Sequence, residues 1–165
     1  GVRFAAVTST VVASSETTAY HRQWLAERPQ DYGADVRGRL YLGAAIGAGE
    51  YLLGQRARRL IAAELSEAFT RVDLLAAPPA PGPAPRIAER FTDRALEVGP
   101  HHTNLVRLPS LLGLPTISVP CGWNRQGLPL GMQLIGRPFA EPTLVRAARA
   151  YESVAGWVGR RPPIS

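Results

Sequence analysis

The chain has 165 residues, of which 45% are hydrophobic and 19% are charged, and its formal net charge is +6. This composition is typical of one globular domain and excludes wholesale disorder, and no apolar run approaches the ~18 residues that a membrane span needs. A single cysteine excludes an internal disulfide and fits a reducing compartment, so we expect a cytoplasmic protein.

The basic residues are all arginine, and the 19 of them are spread along the chain. The densest group, at residues 56–59, lies on a predicted helix that also carries Glu50, Glu64 and Glu67. Mixed charges of this kind favour a solvated face over a phosphate-binding stripe, so we expect no nucleic-acid partner.

Helical spacing and punctuation predict three helices in the first half, at residues 6–27, 34–46 and 50–71. The first ends before Pro29, because proline disfavours the helical conformation in the residue that precedes it. The third has apolar residues at three- and four-residue spacing, which predicts one apolar face that packs on a sheet. That face comprises Leu53, Ala57, Leu60, Ile61, Leu65, Ala68, Phe69 and Val72.

A short strand is predicted at residues 73–76, and five prolines follow between residues 78 and 85. This density excludes helix and central strand and favours extended chain, as in a linker or a loop over a sheet. Residues 101–112 then predict a short helix or an irregular segment, in which Pro109 limits any helix.

Residues 113–139 contain two apolar runs with glycine and proline at their ends, which predicts strands at 116–119 and 130–135. Between them, Gly127 is able to take a positive φ, so the runs form either a hairpin or neighbouring strands. A last helix is predicted from Glu141 to Gly156, with an acid and a proline in its first turn. Its predicted inward residues are Leu144, Val145, Ala148 and Tyr151.

Residues 113–139 read G-L-P-T-I-S-V-P-C-G-W-N-R-Q-G-L-P-L-G-M-Q-L-I-G-R-P-F. This stretch resembles the C-terminal segment of the amidase signature family, whose members hydrolyse or transfer carboxamides with a serine nucleophile. Residues 16–25, 36–60 and 72–87 resemble other family segments in the same order, although Ala77 replaces the family's usual threonine. The resemblance implies an α/β fold, with part of a mixed central β-sheet covered by α-helices. It makes residues 1–165 the C-terminal part of a single amidase domain.

The family's mechanism needs a serine nucleophile, a bridging serine, a lysine and a Gly/Ser-rich oxyanion loop, and this chain contains no lysine. Arginine stays protonated and cannot serve as the base. The only serine pair, Ser14-Ser15, is flanked by Ala13 and Glu16, which is typical of a helix rather than a nucleophile turn. We therefore expect no catalytic residue here, and expect the remainder of the amidase domain to supply the chemistry.

Two candidate substrate residues follow from the resemblance to the glutamyl-tRNA amidotransferase branch. Arg39, in an R-x-x-L-G context, stands where that branch has an arginine that holds the substrate's carboxylate; an ion pair with Asp35 is the alternative. Thr103 stands where the branch has an aspartate for the substrate's amino group, and it cannot supply that charge. This departure favours a stand-alone amidase. A second departure favours it too, because the chain has T-T-A-Y-H-R-Q-W-L in place of the branch's N-L-x-R-Y-D-G.

Cys121 and Trp123 are the other candidate substrate contacts. No paired histidine or helix amino end activates Cys121 as a nucleophile, so we expect it to line a pocket wall. Trp123 closes that pocket or covers the core. His101 and His102 are adjacent and lack partners at metal-ligand spacing, so we predict no metal and no cofactor.

The expected function of the parent protein is hydrolysis of a small-molecule carboxamide through an acyl-serine intermediate. A glutamyl-tRNA amidotransferase subunit, working with two other subunits and a tRNA, is the second interpretation. A non-catalytic scaffold or partner-binding domain is the third. A homo-oligomer fits each of them.

Overall fold

The computed structural model describes residues 2–80, 82–84 and 104–156. These residues form an α/β structure, which confirms the predicted fold class. The helices of the described residues are α1 Ala5–Glu27, α2 Ala34–Ala44, α3 Ala48–Ala68, α4 Asn104–Leu112 and α5 Glu141–Ala155, and the strands are β1 Leu74–Ala77, β2 Thr116–Trp123 and β3 Pro129–Gly136.

The chain divides into two compact units, Gly1–Leu65 and Ser66–Ser165. In the first unit α1 lies between α2 and α3. The Thr18 hydroxyl donates a 2.9 Å hydrogen bond to the carbonyl of Leu40 on α2. On the other side, a Cβ atom added to Gly54 of α3 would lie 3.2 Å from a methyl carbon of Val12. Small side chains thus let three helix backbones approach closely.

Gly43 of α2 lies close against α1, where there is no room for a side chain. A Cβ atom at this position would overlap the Thr18 hydroxyl and the Ser14 carbonyl. Because the backbone of Ser14 cannot move away cheaply, Gly43→Ala is expected to lower the free energy of unfolding by about 1–3 kcal/mol. Urea denaturation followed by circular dichroism measures this change.

Gly38 provides the matched control, because it lies on α2 with open space around its Cα. Gly38→Ala is expected to be neutral or stabilising by up to ~1 kcal/mol, since alanine favours helix over glycine. Equal stabilities of the two variants would contradict the close approach of α1 and α2 at Gly43.

The predicted helix ends are mostly confirmed, but the predicted apolar face of α3 is only partly confirmed. Arg28 leaves the helical conformation before Pro29, as expected. Ile61 and Leu65 are buried, whereas Leu53 and Leu60 are 62% and 68% exposed. In the first unit α3 contacts α1, and Gly54 lies beside Val12.

The second unit contains a sheet with strand order β1-β3-β2, and both pairs are antiparallel. Strands β2 and β3 form a hairpin, which is one of the two arrangements that the sequence allows. Gly127 takes the positive φ of 77° that the turn needs. The side-chain oxygen of Asn124 accepts hydrogen bonds from the backbone N–H groups of Gln126 and Leu128, at 3.0 and 2.8 Å. The connection therefore stabilises its own turn.

Helix α5 covers one face of this sheet, which we name the α5 face. Leu144 and Ala148 of the helix form a buried cluster with Leu134 of β3. Val145 is 57% exposed, so its predicted inward position is wrong. One residue along a helix turns the side chain by ~100°, which takes Val145 away from the stripe of Leu144 and Ala148. Partly buried residues around the cluster are Leu74, Ile117, Val119, Met132 and Ala147.

Pro109 does not limit α4 as predicted, because the helix runs through it from Asn104 to Leu112. A proline in a helix leaves the carbonyl four residues earlier without its usual donor. That carbonyl belongs to Leu105, and it accepts a 3.0 Å hydrogen bond from the side-chain amide of Gln133 on β3. A partner distant in sequence thus compensates for the break.

Candidate functional site

A β-bulge in β2 sets the positions of two candidate site residues. Pro120 pairs with Gly131 and Gly122 pairs with Leu130, so Cys121 is the extra residue between them. A bulge reverses the alternation of side chains beyond it. Trp123 consequently pairs with Pro129 and shares a face with Gly131 and Gln133, whereas strict alternation would place it on the α5 face.

We name the surface opposite α5 the Gln133 face. Directly paired residues of neighbouring strands lie on the same face, which places Ser118 and Ala77 beside Gln133. Thr116, Ser118 and Pro120 are exposed. A short segment after β1 covers part of this face, because Pro79 packs against Gly131: a Cβ atom there would lie 3.0 Å from its ring. Glycine at 131 permits this contact.

Cys121 is a free cysteine of intermediate burial. It lies within a strand and not at a helix amino end, and no residue of 2–80, 82–84 or 104–156 forms a hydrogen bond with its sulfur. Helix amino ends and hydrogen-bond donors are the groups that activate a thiol as a nucleophile, and the described residues place none at this sulfur. Its role as a pocket-wall residue stays a prediction.

Arg39 lies on α2 and is exposed. Leu40 and Gly43 farther along the helix are buried, and the Leu40 carbonyl is bound by Thr18 of α1, so the helix segment that carries Arg39 is fixed. In the described part of the chain Arg39 forms no ion pair, and the alternative pairing with Asp35 is absent. Its five N–H donors are therefore available to a planar anion.

Thr103 lies outside the described residues, as do His101 and His102. His21 of α1 lies 3.0 Å from the Tyr32 hydroxyl through Nδ1. Tyr20 and Trp24 complete an aromatic group around it. Groups of three or more His, Cys, Asp or Glu side chains suited to a metal are absent from the described residues.

Gln133 is a polar residue of this region that the sequence analysis does not single out. It is 3% exposed, and its Nε2 atom donates to the carbonyls of Leu105 and Pro78, at 3.0 and 3.5 Å. Its signal in the sequence is a lone amide inside the apolar run L-P-L-G-M-Q-L-I-G. A buried polar side chain in such a run needs partners, and here they lie on two other segments.

The length and the apolar character of a helix decide whether it could cross a membrane. Among the described helices, none combines the length and the apolar character that crossing a bilayer requires.

The family model described as Amidase matches residues 3–145. An amidase of Pseudomonas putida is 39% identical over 155 residues, which cover 90% of this chain and 33% of the relative. A glutamyl-tRNA(Gln) amidotransferase subunit of Myxococcus xanthus (strain DK1622) is 40% identical over 143 residues, covering 83% of this chain and 29% of the relative.

A solved structure described as a crystal structure of amidase superposes with a TM-score of 0.84 at 24% identity, covering 94% of this chain and 36% of that one. At this identity the likeness concerns the fold alone. The chain spans about a third of the length of the curated relatives it matches. The match over residues 3–145, on a fold shared with a solved amidase, places the chain in the Amidase family.

Proposed function

We propose that this chain is the C-terminal part of an amidase that hydrolyses a small-molecule carboxamide. The observation that carries the proposal is the family match over residues 3–145. In the proposed mechanism a serine oxygen attacks the amide carbon, the C–N bond breaks, and the nitrogen leaves with a proton as ammonia or an amine. Water then cleaves the acyl-serine ester, which releases the acid and restores the serine.

The chain's own part in this mechanism is binding. Trp123 on the Gln133 face and Cys121 in the bulge beside it form a wall for the acyl group, and Arg39 holds a carboxylate on substrates that carry one. Thr103 contributes a neutral hydroxyl where an acidic residue would select an amino group. The absence of lysine from the sequence supports a nucleophile and base that lie outside residues 1–165.

The test compares the 165-residue chain with the full-length protein in an ammonia-release assay on carboxamides with and without a carboxylate. The full-length protein is expected to release ammonia, and added hydroxylamine to divert part of the acyl group to a hydroxamate. The short chain is expected to be inactive. Hydrolysis by the short chain that one of its own substitutions abolishes would refute the division of roles, and an inactive full-length protein would favour the scaffold interpretation.

Cys121 distinguishes a serine mechanism from a cysteine mechanism. Cys121→Ala in the full-length protein is expected to change kcat less than about threefold, because a pocket-wall residue leaves the chemical step intact. Removal of a true nucleophile lowers kcat by several powers of ten. Steady-state kinetics decide between these outcomes, and a loss of several powers of ten in kcat in Cys121→Ala would oppose the serine mechanism.

The second candidate function is that of a glutamyl-tRNA amidotransferase subunit, which is the name carried by relatives that are 40% identical. Two departures from that branch oppose this function: Thr103 stands in place of an acid, and T-T-A-Y-H-R-Q-W-L follows Glu16. Glutamine hydrolysis that depends on added partner proteins and charged tRNA would support this function. Hydrolysis of simple amides without partners would support the stand-alone amidase.

A further inference from the structure

Gln133 joins three segments that are distant in sequence. It lies on β3, and its buried amide donates to Pro78, just after β1, and to Leu105, in the first turn of α4. A side-chain amide has two N–H donors, so it serves both acceptors. The 3.0 Å bond to Leu105 is of ordinary length, whereas the 3.5 Å bond to Pro78 is long and therefore weaker.

The bond to Leu105 replaces a backbone bond that the sequence removes. In a regular helix the N–H of residue 109 would donate to the carbonyl of residue 105, but Pro109 has no N–H. Gln133 supplies the missing donor from the sheet. The glutamine thus both satisfies this carbonyl and attaches α4 to β3.

The bond to Pro78 has a consequence for the candidate substrate wall. Pro79 follows directly and packs on Gly131, which pairs with Pro120 beside the Cys121 bulge. The segment that Gln133 holds thus packs on β3 at the residue that pairs with Pro120, directly before the bulge at Cys121.

We propose that Gln133 is a positioning residue: its amide holds Pro78, Pro79 and the first turn of α4 against the sheet and so fixes the wall formed by Cys121 and Trp123. This role in binding rests on the proposed amidase function. The attachment itself does not, since it follows from hydrogen bonds within the second unit.

Hydrogen–deuterium exchange on the full-length protein tests the attachment. Gln133→Leu keeps an apolar side chain and removes both donors. It is expected to speed exchange about tenfold or more in residues 76–80 and 105–112, and to leave the hairpin turn at residues 124–128 unchanged. The control is Gln126→Leu, in the exposed turn, which is expected to change neither segment.

Two further variants separate a donor role from simple packing. Gln133→Glu presents a carboxylate to two carbonyls at neutral pH, but a protonated carboxyl can donate at lower pH. A protonated carboxyl has one O–H donor, so acidification is expected to restore exchange protection in residues 105–112 of Gln133→Glu, after correction for the intrinsic pH dependence of exchange, but not in Gln133→Leu. Pro109→Ala restores a backbone donor to the carbonyl of Leu105, so it is expected to rescue α4, but not the amides of residues 76–80, in the Gln133→Leu background.

Kinetics of the same variants test the link to substrate. With a carboxamide substrate, Gln133→Leu is expected to raise KM about tenfold with kcat nearly unchanged, because a pocket wall binds ground state and transition state alike. Unchanged exchange in both segments, or equal behaviour of the Leu and Glu variants at every pH, would overturn the donor role. Faster exchange with unchanged KM would overturn the link to the wall, and an inactive parent protein would refute the amidase proposal while leaving the exchange result valid.

Discussion

Leu144→Ala is expected to lower the free energy of unfolding of the second unit by about 2–5 kcal/mol, the usual range for removing a buried leucine side chain. Leu144 is 2% exposed, and it packs on the α5 face with Leu134. Its side chain also lies against Gly136, where an added Cβ would be 3.3 Å away. Truncation of Leu144 to alanine leaves a cavity between α5 and the sheet. Gly136 has no side chain that could fill this cavity.

Urea denaturation followed by circular dichroism provides the measurement, and the midpoint is expected to fall by roughly 1 M or more. Val145→Ala is the matched control, because the adjacent side chain on the same helix is 57% exposed. Its effect is expected to stay within about 0.5 kcal/mol, as for most surface substitutions. If the two variants lost equal stability, α5 would not dock through the face described.

Local chemistry explains why much of the secondary structure is predictable from sequence. Pro29 ends α1, Gly127 makes the hairpin turn and Gly156, with a φ of 68°, ends α5. Each acts within a few residues of itself, through a fixed φ, a missing N–H or freedom from a Cβ clash. The two strands beside Gly127 and the last helix are predicted correctly for this reason.

Features that depend on distant partners are not predictable in this way. The Cys121 bulge exists because Pro120 and Gly122 find neighbouring partners on β3, and it alone determines which face Trp123 occupies. The helix through Pro109 likewise depends on Gln133, which is 28 residues from Leu105. Periodicity also misplaces Leu53 and Leu60 on α3, where Gly54 contacts α1, although it places Ile61 and Leu65 correctly in the core. Packing geometry, as well as hydrophobicity, thus determines which side chains of α3 are buried.

Arg39→Met in the full-length protein is expected to lower kcat/KM for a carboxylate-bearing amide roughly 10- to 150-fold. This range corresponds to the ~1.5–3 kcal/mol that a hydrogen bond to a charged group contributes. A matched substrate without the carboxylate is expected to react at nearly the wild-type rate. Arg39→Lys should recover part of the loss, because lysine keeps the charge but cannot bind both oxygens in one plane.

Stability and substrate preference respond differently if Arg39 acts on substrate. The residue is exposed and forms no ion pair with the described residues, so neither Arg39 variant is expected to shift the unfolding midpoint appreciably.

Arg22→Met, at another exposed arginine of the same unit, controls for the loss of one positive charge. Equal losses on both substrates would mean that Arg39 does not act through the substrate's carboxylate. An equal loss in Arg22→Met would mean that the overall charge of the protein, and not a bidentate contact from α2, attracts the substrate. A loss confined to the carboxylate-bearing substrate and to position 39 requires a direct contact, because long-range attraction is screened by salt over ~10 Å and does not distinguish two exposed arginines.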